Sequence, residues 1–434
     1  MPKNHSVHQE IWFIALPMLL TGISTPLLGL VDTAVVGHLP EPHFLAAIAI
    51  GAMIFNLLFW AMGFLRMGTT GLTARALGER KESELVSILI RGLSISTILG
   101  AAVIIIQTPI KEAIFYFVDS TPDVLFHAKV YFDIRIWSAP ATLASYVLLG
   151  WFLGLQKPKI NLMIVISLNL INILLDVFFV VYLNFDSSGV AWATLIAEYS
   201  GLFIGIAIAW RIVKTKSADN WRQIYDCKEI RKYLSLNLDV FLRTLFLLLS
   251  FSFFTLQSAK YGPIVLAANS ILMNLQTLMS YALDSLAHAA EVLVGKYIGC
   301  KQELFSVIKI TGYWSVGFAC LIALIYWALG SSIIGMLTDI DDVAATVVIY
   351  LPWLILSPVL SVWSYWFDGI FIGAGYSREM RDTMLISFIV FLLSFLILAG
   401  WGNHGLWAAL MIFMVARAVS MGFIANRKLK GLAV

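Results

Sequence analysis

Apolar stretches of about twenty residues recur along almost the whole chain, and they decide what this sequence can fold into. Such a stretch is long enough to cross the hydrocarbon core of a bilayer as a helix. Hydrophobic residues make up 60% of the 434 residues and charged residues only 13%, whereas a soluble domain carries roughly 25% charged residues. No soluble fold of this length could bury so much apolar surface. The sequence therefore predicts an all-α integral membrane protein.

The hydropathy pattern divides the chain into twelve membrane-spanning segments. We place them at residues 9–36, 44–70, 84–108, 127–151, 160–183, 189–213, 231–258, 264–290, 305–329, 345–372, 382–401 and 404–426. Segments joined by only a few residues, such as those around 184–188 and 402–403, must be antiparallel neighbours. The first segment is too long for the apolar core of a signal peptide, so we expect it to remain as a membrane helix.

Basic residues in the connections predict the orientation, because arginine and lysine concentrate on the cytoplasmic side. One set of connections and the two termini carry most of them: Lys3, Arg75, Arg80, Lys81, Lys157, Lys159, Lys214, Lys216, Arg222, Lys228, Arg231, Lys232, Lys296, Lys301, Arg378, Arg381, Arg427, Lys428 and Lys430. The opposite set has only Lys111, Lys129 and Lys260. Both termini are therefore expected in the cytoplasm. The longest polar connection, 214–230, is the predicted linker between an N-terminal bundle (1–213) and a C-terminal bundle (231–434).

The two halves of the chain resemble each other. LAAIAIGAMIFNLL from Leu45 aligns without a gap to LAANSILMNLQTLM from Leu266, and a Ser-Tyr-x3-Gly-x3-Gly pattern starts at both Ser145 and Ser364. Chance similarity between apolar segments is the alternative, but the polar landmarks match in register. Six spans per half give both halves the same orientation. The sequence thus predicts twelve helices in two pseudo-symmetric six-helix bundles, a common plan of transporters.

Three polar residues of the first half share one depth in the predicted membrane, and a fourth lies close below them. Asp32, Asp176 and Thr194 lie roughly 8–11 Å below the outer boundary at about 1.5 Å per residue, and Asn172 lies one turn deeper, on the same helix face as Asp176. Burial and a second nearby carboxylate both disfavour the charged acid, so such a group could bind H⁺ reversibly. The same oxygens could coordinate Na⁺ instead. The structural alternative is a static hydrogen-bonded group that joins three helices.

Helix 1 contains two prolines as well as an acid. Pro17 and Pro26 each remove a backbone hydrogen bond and favour a kink. A kinked helix that carries Asp32 could change shape on protonation. A fixed kink required for packing explains the same residues equally well.

The ionisable residues of the second half lie elsewhere. Asp239 and Arg243 are four residues apart on one helix, and we expect them to pair. On the next predicted span, a stripe toward the cytoplasmic end could line an inner vestibule; it consists of Asp284, His288 and Glu291. Asp368 lies near the cytoplasmic end of the tenth predicted span, 345–372. We favour structural ion pairs or a wet surface for all of them. In the first half, Asp133 and Arg135 cannot face each other at their spacing, so each requires another partner.

Motifs of other function classes are missing from the sequence. There is no GxxxxGK[ST] for ATP-driven transport, and no HExxH or GxSxG for hydrolysis. The seven histidines and three cysteines show no metal-ligand spacing. We therefore expect neither an enzyme nor a resident metal or cofactor, and no nucleic-acid partner.

Three motifs resemble those of a known family. Ala15-Leu16-Pro17 and Gly29-Leu30-Val31-Asp32-Thr33-Ala34-Val35-Val36-Gly37-His38-Leu39 resemble the helix 1 signature of the multidrug and toxic compound extrusion (MATE) family. Phe64-Leu65-Arg66-Met67-Gly68-Thr69-Thr70-Gly71-Leu72-Thr73-Ala74 resembles the DNA-damage-inducible F branch of that family. The resemblance covers the whole chain and implies cation-coupled export of lipophilic, often cationic, compounds by alternating access.

The resemblance also implies roles for individual residues. The coupling acids of this branch match Asp32 and the Asn-x3-Asp of Asn172 and Asp176, the helix 6 threonine matches Thr194, and the bending proline of helix 1 matches Pro17. It favours H⁺ as the coupling ion and leaves Na⁺ open. We expect a monomer in a bacterial inner membrane, surrounded by lipid. Two rivals are a lipid or lipid-linked sugar flippase of the same superfamily and a non-transporting membrane scaffold.

Overall fold

The computed structural model describes residues 6–36, 42–183, 185–214, 224–298 and 301–431 of the chain, and these residues are almost entirely helical. Fifteen α-helices are described. Nine belong to the first half: α1 Val7–Val36, α2 Pro42–Ala61, α3 Phe64–Gly78, α4 Glu82–Ile105, α5 Gln107–Tyr116, α6 Pro122–Arg135, α7 Ala139–Gly154, α8 Pro158–Asp176 and α9 Ser187–Val213. Six belong to the second half: α10 Cys227–Ala259, α11 Pro263–Tyr297, α12 Lys301–Leu337, α13 Asp341–Ala374, α14 Ser377–Leu398 and α15 Asn403–Gly431.

Eleven helical stretches among the described residues are long and apolar enough to cross a membrane. They start with the α2–α3 stretch, and the 30-residue α1 precedes them as the twelfth. The predicted all-α fold with twelve spans is confirmed.

Two of the predicted spans of the first half are interrupted. A turn at Met62 and Gly63 separates α2 from α3, where the Met62 and Gly63 amides bond to carbonyls three residues back. A 3₁₀ turn at Ile136–Ser138 separates α6 from α7. Pro140 follows this turn and has no N–H to donate to the preceding turn. In the second half, α11 and α13 each run without a break through the corresponding span.

The chain divides into two compact units. The first unit comprises Leu20–Leu234, and the second comprises Met1–Leu19 together with Ser235–Val434. Two helices, α1 and α10, therefore each contribute to both units. This division differs from the predicted 1–213 and 231–434 bundles at the N-terminus, because the first residues of α1 belong to the unit of the second half.

Specific contacts explain why the start of α1 belongs to the second unit. Lys296 Nζ and the Tyr297 hydroxyl both donate to the carboxylate of Glu10, at 3.2 and 3.1 Å. The Trp12 ring meets the Trp314 ring edge to face, with centroids 5.1 Å apart. An ion pair and an aromatic pair thus fix this end of α1 to α11 and α12.

The internal repeat reappears in how two helix pairs pack. Gly150 on α7 lies against the backbone carbonyl of Arg66 on α3, and Gly369 on α13 lies against that of Ala287 on α11; a Cβ at either glycine would overlap the carbonyl oxygen. One turn further on the contact recurs in both units, Gly154 against Thr70 and Gly373 against Glu291. Absence of a side chain lets the two backbones approach this closely. Both units are therefore built around the same close helix pair.

Aromatic side chains fill the core of each unit. In the first unit Phe55 and Phe132 pack with ring centroids 5.2 Å apart, between α2 and α6. In the second unit Phe254 on α10 meets Trp407 on α15 at 5.0 Å. Both cores lie between helices, while many large apolar side chains outside them are exposed, as is expected for a surface that faces lipid.

Candidate functional site

Three of the four polar residues singled out in the first half come together where α8 meets α9. Asn172 and Asp176 lie one turn apart at the end of α8 and are both 0% exposed. Asn172 Nδ2 donates to the Thr194 hydroxyl of α9 at 3.3 Å, and that hydroxyl donates to the Val190 carbonyl at 2.9 Å. The predicted grouping of an amide, a hydroxyl and a carboxylate is therefore present inside the first unit. We call these three residues the α8–α9 cluster.

The α8–α9 cluster presents oxygen atoms inside the first unit. Asn172 Oδ1 is buried and accepts no hydrogen bond from any described residue. With respect to the described side chains, it is an available oxygen ligand or acceptor, and it lies one turn from a fully buried carboxylate. Oxygen atoms of this kind suit either a proton on the acid or a coordinated Na⁺.

Two predicted residues of the site lie on α1. Asp32 belongs to this helix, but its side chain lies outside the described part of the structure. Pro17 is buried, and α1 is one continuous helix from Val7 to Val36 through the position of Pro17. The roles assigned to Asp32 and Pro17 remain predictions.

The backbone changes its winding directly after Asp176. Residues Val177–Tyr182 form a π-helical turn, and the Leu183 amide bonds to the Phe178 carbonyl five residues back at 3.1 Å. π-Helical turns are rare in proteins, and those that occur often lie at functional sites. The acid therefore stands at the junction between a regular helix and a locally unwound one.

The second unit has no counterpart of the α8–α9 cluster at the corresponding positions. Gln156 and Gly375, both with positive φ, precede α8 and α14 in the same way. Counted from these two residues, Asn172 corresponds to Phe391 and Asp176 to Phe395. Phe253 of α10 packs on both of these rings, with centroids 5.5 and 5.2 Å away. At these two positions the duplicated scaffold thus holds an amide and an acid in one unit and two phenylalanines in the other.

One half-buried acid near the α8–α9 cluster was not found from the sequence. Glu198 lies on α9, one turn beyond Thr194 and on the same face. Its carboxylate lies 3.5 Å from the Arg135 guanidinium of α6. Asp133, two residues before Arg135, instead pairs with Lys111 at 2.8 Å. The prediction that Asp133 and Arg135 each have another partner is confirmed, and a glutamate inside an apolar span was the signal for the missed residue.

The predicted ion pair between Asp239 and Arg243 is wrong. Asp239 accepts hydrogen bonds from Ser377 at 3.0 Å and from Arg381 at 2.6 Å, both on α14. Arg243 instead pairs with Asp368 of α13. The i, i+4 spacing allowed a pair within α10, but neighbouring helices supply a closer partner to each residue.

Asp368 is the centre of a buried ionic group that joins three helices of the second unit. Its Oδ2 accepts from Arg243 of α10 and, at 2.8 Å, from Arg417 of α15. Asp284 of α11 acts electrostatically on the same Arg417. Arg417 is only 1% exposed and was missed in the sequence, although an arginine inside an apolar span is a strong signal. The expectation of a structural ion pair at Asp368 fits this arrangement.

The predicted polar stripe of α11 lies inside its unit. His288 Nδ1 and Glu291 Oε2 are 3.1 Å apart, and both side chains are buried. Asp284 is half-buried. Their burial favours an internal ion pair over the open vestibule surface that the sequence also allowed.

No group of three or more His, Cys, Asp or Glu residues that could hold a metal ion occurs in the part of the chain that the structure describes. Cys227 and Cys320 are free and exposed, and Cys300 lies outside the described residues.

Twelve apolar spans, a duplicated helix pair and a buried polar cluster in one unit define a class, the membrane transporters built from repeated bundles. The sequence profile of the MatE family matches residues 17–178 and again residues 240–399, one match in each half. The chain belongs to the MATE family of multidrug and toxic compound extrusion proteins. It is a multi-pass membrane transporter and not an enzyme.

Individual relatives cover nearly the whole chain. The chain is 38% identical to DNA damage-inducible protein F of Escherichia coli (strain K12), over 97% of this chain and 93% of that one. Two solved structures of a MATE protein share the fold, each covering 99% of this chain and 97% of its own. One is in a bent conformation (TM-score 0.89, 18% identity) and one is in a straight conformation (TM-score 0.88, 19% identity).

Proposed function

We propose that this protein exports lipophilic, often cationic, compounds in exchange for protons that bind at Asp32 and at the α8–α9 cluster. The observation that carries this proposal is the complete burial of Asp176 one turn from Asn172, whose Oδ1 accepts no hydrogen bond from a described residue. Two acids and an amide at this depth can take up and release protons as one group. The family supplies the class of substrate, small toxic or drug-like molecules.

Coupling requires that the substrate and the protons favour different states of the transporter. Protons would enter from the outer side and neutralise Asp32 and Asp176. Neutralisation would let α1 bend near Pro17 and reshape the first unit, which would release the substrate outward. The solved relatives in bent and straight conformations support a proposal in which the shape of such a protein changes. The π-helical turn after Asp176 is a second place where the local backbone could rearrange.

The driving force is sufficient for useful export. One elementary charge that crosses a potential of 100 mV releases about 2.3 kcal/mol. Two protons exchanged for one monovalent cation would move one net charge inward, which is worth about 2.3 kcal/mol at 100 mV, and a pH difference would add to it. We place the protein in a bacterial plasma membrane as a monomer with both termini in the cytoplasm, as the basic residues of its loops predict.

Na⁺ is the second candidate for the coupling ion. The α8–α9 cluster offers three kinds of oxygen ligand. Asn172 Oδ1 and the Asp176 carboxylate are one turn apart on α8, and the Thr194 hydroxyl of α9 is hydrogen-bonded to Asn172. An oxygen-lined group that includes a carboxylate is the chemistry that hard cations prefer.

Efflux of ethidium, a fluorescent lipophilic cation, from proteoliposomes tests the proposal. Efflux would be measured under an imposed pH gradient and, separately, under an imposed Na⁺ gradient, for wild type and for Asp176→Asn and Asp32→Asn. We expect efflux driven by the pH gradient that is lost in both variants.

Each alternative has its own outcome in this experiment. Efflux driven only by Na⁺ would keep the antiporter and replace the proton. No efflux under either gradient from correctly folded protein would contradict drug antiport. The flippase would then be tested by reconstituting the protein with a fluorescent anionic lipid in the inner leaflet.

A further inference from the structure

We propose that Glu198 is a further proton-carrying residue of the first unit, which binds and releases a coupling proton beside the guanidinium of Arg135. This proposal rests on the proton-coupled transport proposed above and adds a deeper group to it. The α8–α9 cluster ends at Thr194, whereas Glu198 lies close to the middle of α9, which spans Ser187–Val213.

The position of Glu198 continues the line of polar groups that starts at Asp176. Asp176 and Asn172 are one turn apart on α8, and Asn172 bonds to Thr194 of α9 at 3.3 Å. Glu198 follows on the same face of α9, about 6 Å further along the helix axis. The four residues therefore form a series that reaches from the end of α8 to the middle of the span. A carboxylate at each end of the series can hold a proton.

The charges around Glu198 come from few sources. α9 packs against α2, α6, α7 and α8. Of the groups near the Glu198 carboxylate, α6 contributes the Arg135 cation and α7 contributes the neutral Thr142 hydroxyl. The acid of α8, Asp176, lies further away, beyond Thr194. The face of α2 nearest Arg135 is aromatic. Among the described residues, Arg135 is the charged group whose field reaches the Glu198 carboxylate.

The ion pair of Glu198 is loose for a half-buried one. The N–O distance that joins Glu198 to Arg135 is 3.5 Å, whereas charge-assisted hydrogen bonds are about 2.7–2.9 Å long. Arg91 and Glu84 of the same unit have two contacts, the shorter at 2.9 Å. A half-buried carboxylate with one long contact can change its charge more easily than one that is held by two hydrogen bonds.

Arg135 keeps other partners when Glu198 is neutral. One of its guanidinium nitrogens donates to the Ser138 hydroxyl. The guanidinium also lies over the rings of Phe55 and Phe59, 5.5 and 5.4 Å from their centroids. Cation–π contacts of this kind stabilise a desolvated cation. When Glu198 is protonated, Arg135 therefore keeps favourable contacts with these residues. A purely structural ion pair would not need such additional contacts.

The number of protons exchanged per substrate tests this proposal. Proteoliposomes clamped at zero membrane potential would be given a pH gradient of one unit, and the ethidium ratio at which net flux stops would be measured. One pH unit changes the free energy of one proton by about 1.36 kcal/mol, a factor of ten. If Glu198 carries one proton, Glu198→Gln should lower the balancing ethidium ratio about tenfold. Asp133→Asn, which removes an exposed acid of α6, is the matched control and should leave the ratio unchanged.

The other outcomes each decide the question. A Glu198→Gln protein that balances at the wild-type ratio would overturn the proposal. If that variant does not fold, Glu198→Gln with Arg135→Gln removes both charges and is measured in the same way. Failure of this double variant to fold would assign the pair a structural role and also overturn the proposal. Wild type without flux under the pH gradient would instead contradict the proposed function itself, before any variant is compared.

Discussion

Asn172 donates its side-chain amide to the Thr194 hydroxyl at 3.3 Å, and this hydrogen bond joins α8 to α9 beside the buried Asp176. The Thr194 hydroxyl donates its own proton to the Val190 carbonyl, so its oxygen is oriented to accept from the amide. The amide oxygen Oδ1 is buried and accepts no hydrogen bond from a described residue. The hydrogen bond therefore orients the group that we propose shares the coupling proton.

Loss of this acceptor should impair coupling. Thr194→Val keeps the shape of the side chain but leaves Asn172 Nδ2 buried without its hydroxyl partner, which costs about 1–3 kcal/mol. We expect ethidium efflux driven by a pH gradient to fall about tenfold, while Thr194→Ser, which retains the hydroxyl, stays near wild type. Equal efflux from the valine and serine variants would show that the orientation of Asn172 does not matter for coupling.

The close helix pairs make an equally specific prediction about stability. A Cβ on Gly150 would overlap the Arg66 carbonyl, and a Cβ on Gly369 would overlap the Ala287 carbonyl. Overpacking of this kind typically costs about 1–3 kcal/mol, so Gly150→Ala and Gly369→Ala should both lower the thermal unfolding temperature in detergent. Gly317→Ala is the control, because a Cβ there meets no atom within 4 Å. An unchanged unfolding temperature for either packed glycine would contradict the close approach.

The buried ionic group of the second unit predicts a different kind of loss. Asp368→Asn would leave Arg243 and Arg417 buried without the carboxylate that accepts from both. Removal of one partner from a buried ion pair costs about 3–5 kcal/mol. We expect a large fall in the yield of folded protein and in its unfolding temperature. Asp382→Asn, which removes an exposed acid of α14, should change either quantity little.

Hydropathy alone predicted the twelve spans, because each apolar run had to be long enough to cross a bilayer. It could not predict the interruptions at Met62–Gly63 and Ile136–Ser138, because neither short segment contains a charged residue that would divide an apolar run. The repeat could be read from the shared Ser-Tyr-x3-Gly-x3-Gly pattern. The reason for its glycines, a close backbone contact with a second helix, required the tertiary structure.

The candidate site was predictable to the extent that its residues share one helix face. Asn172 and Asp176 are four residues apart, so their common face followed from helix geometry. The same reasoning failed for Asp239 and Arg243, because spacing shows which residues could meet and not which neighbours come closer. The pairing of Glu198 could not be predicted from its apolar span, because its partner Arg135 lies far away in the sequence, on α6.

The aromatic cluster of the second unit yields the last prediction, which concerns the asymmetry of the repeat. Phe395 corresponds to Asp176 in the repeat. The neighbours of Phe395 are the rings of Phe253 and Phe391, whereas Asp176 has the Asn172 amide one turn away. An acid placed there would be buried without a polar group at the position of Asn172, and the burial of a lone carboxylate is strongly unfavourable. Phe395→Asp should therefore lower the unfolding temperature far more than Phe395→Leu, which removes part of the ring packing without adding a charge.

The double variant Phe391→Asn, Phe395→Asp separates the polar neighbour from the acid itself. If the missing amide is what makes the introduced acid unfavourable, the double variant should recover part of the stability lost in Phe395→Asp, as measured by thermal unfolding at pH 7. The stability lost in Phe395→Asp should itself be smaller at pH 5, because protonation of the introduced acid removes its buried charge. A Phe395→Asp protein as stable as Phe395→Leu at both pH values would mean that the second unit tolerates a buried acid at this position. The exclusion of the proton site from that unit would then need another explanation than its aromatic packing.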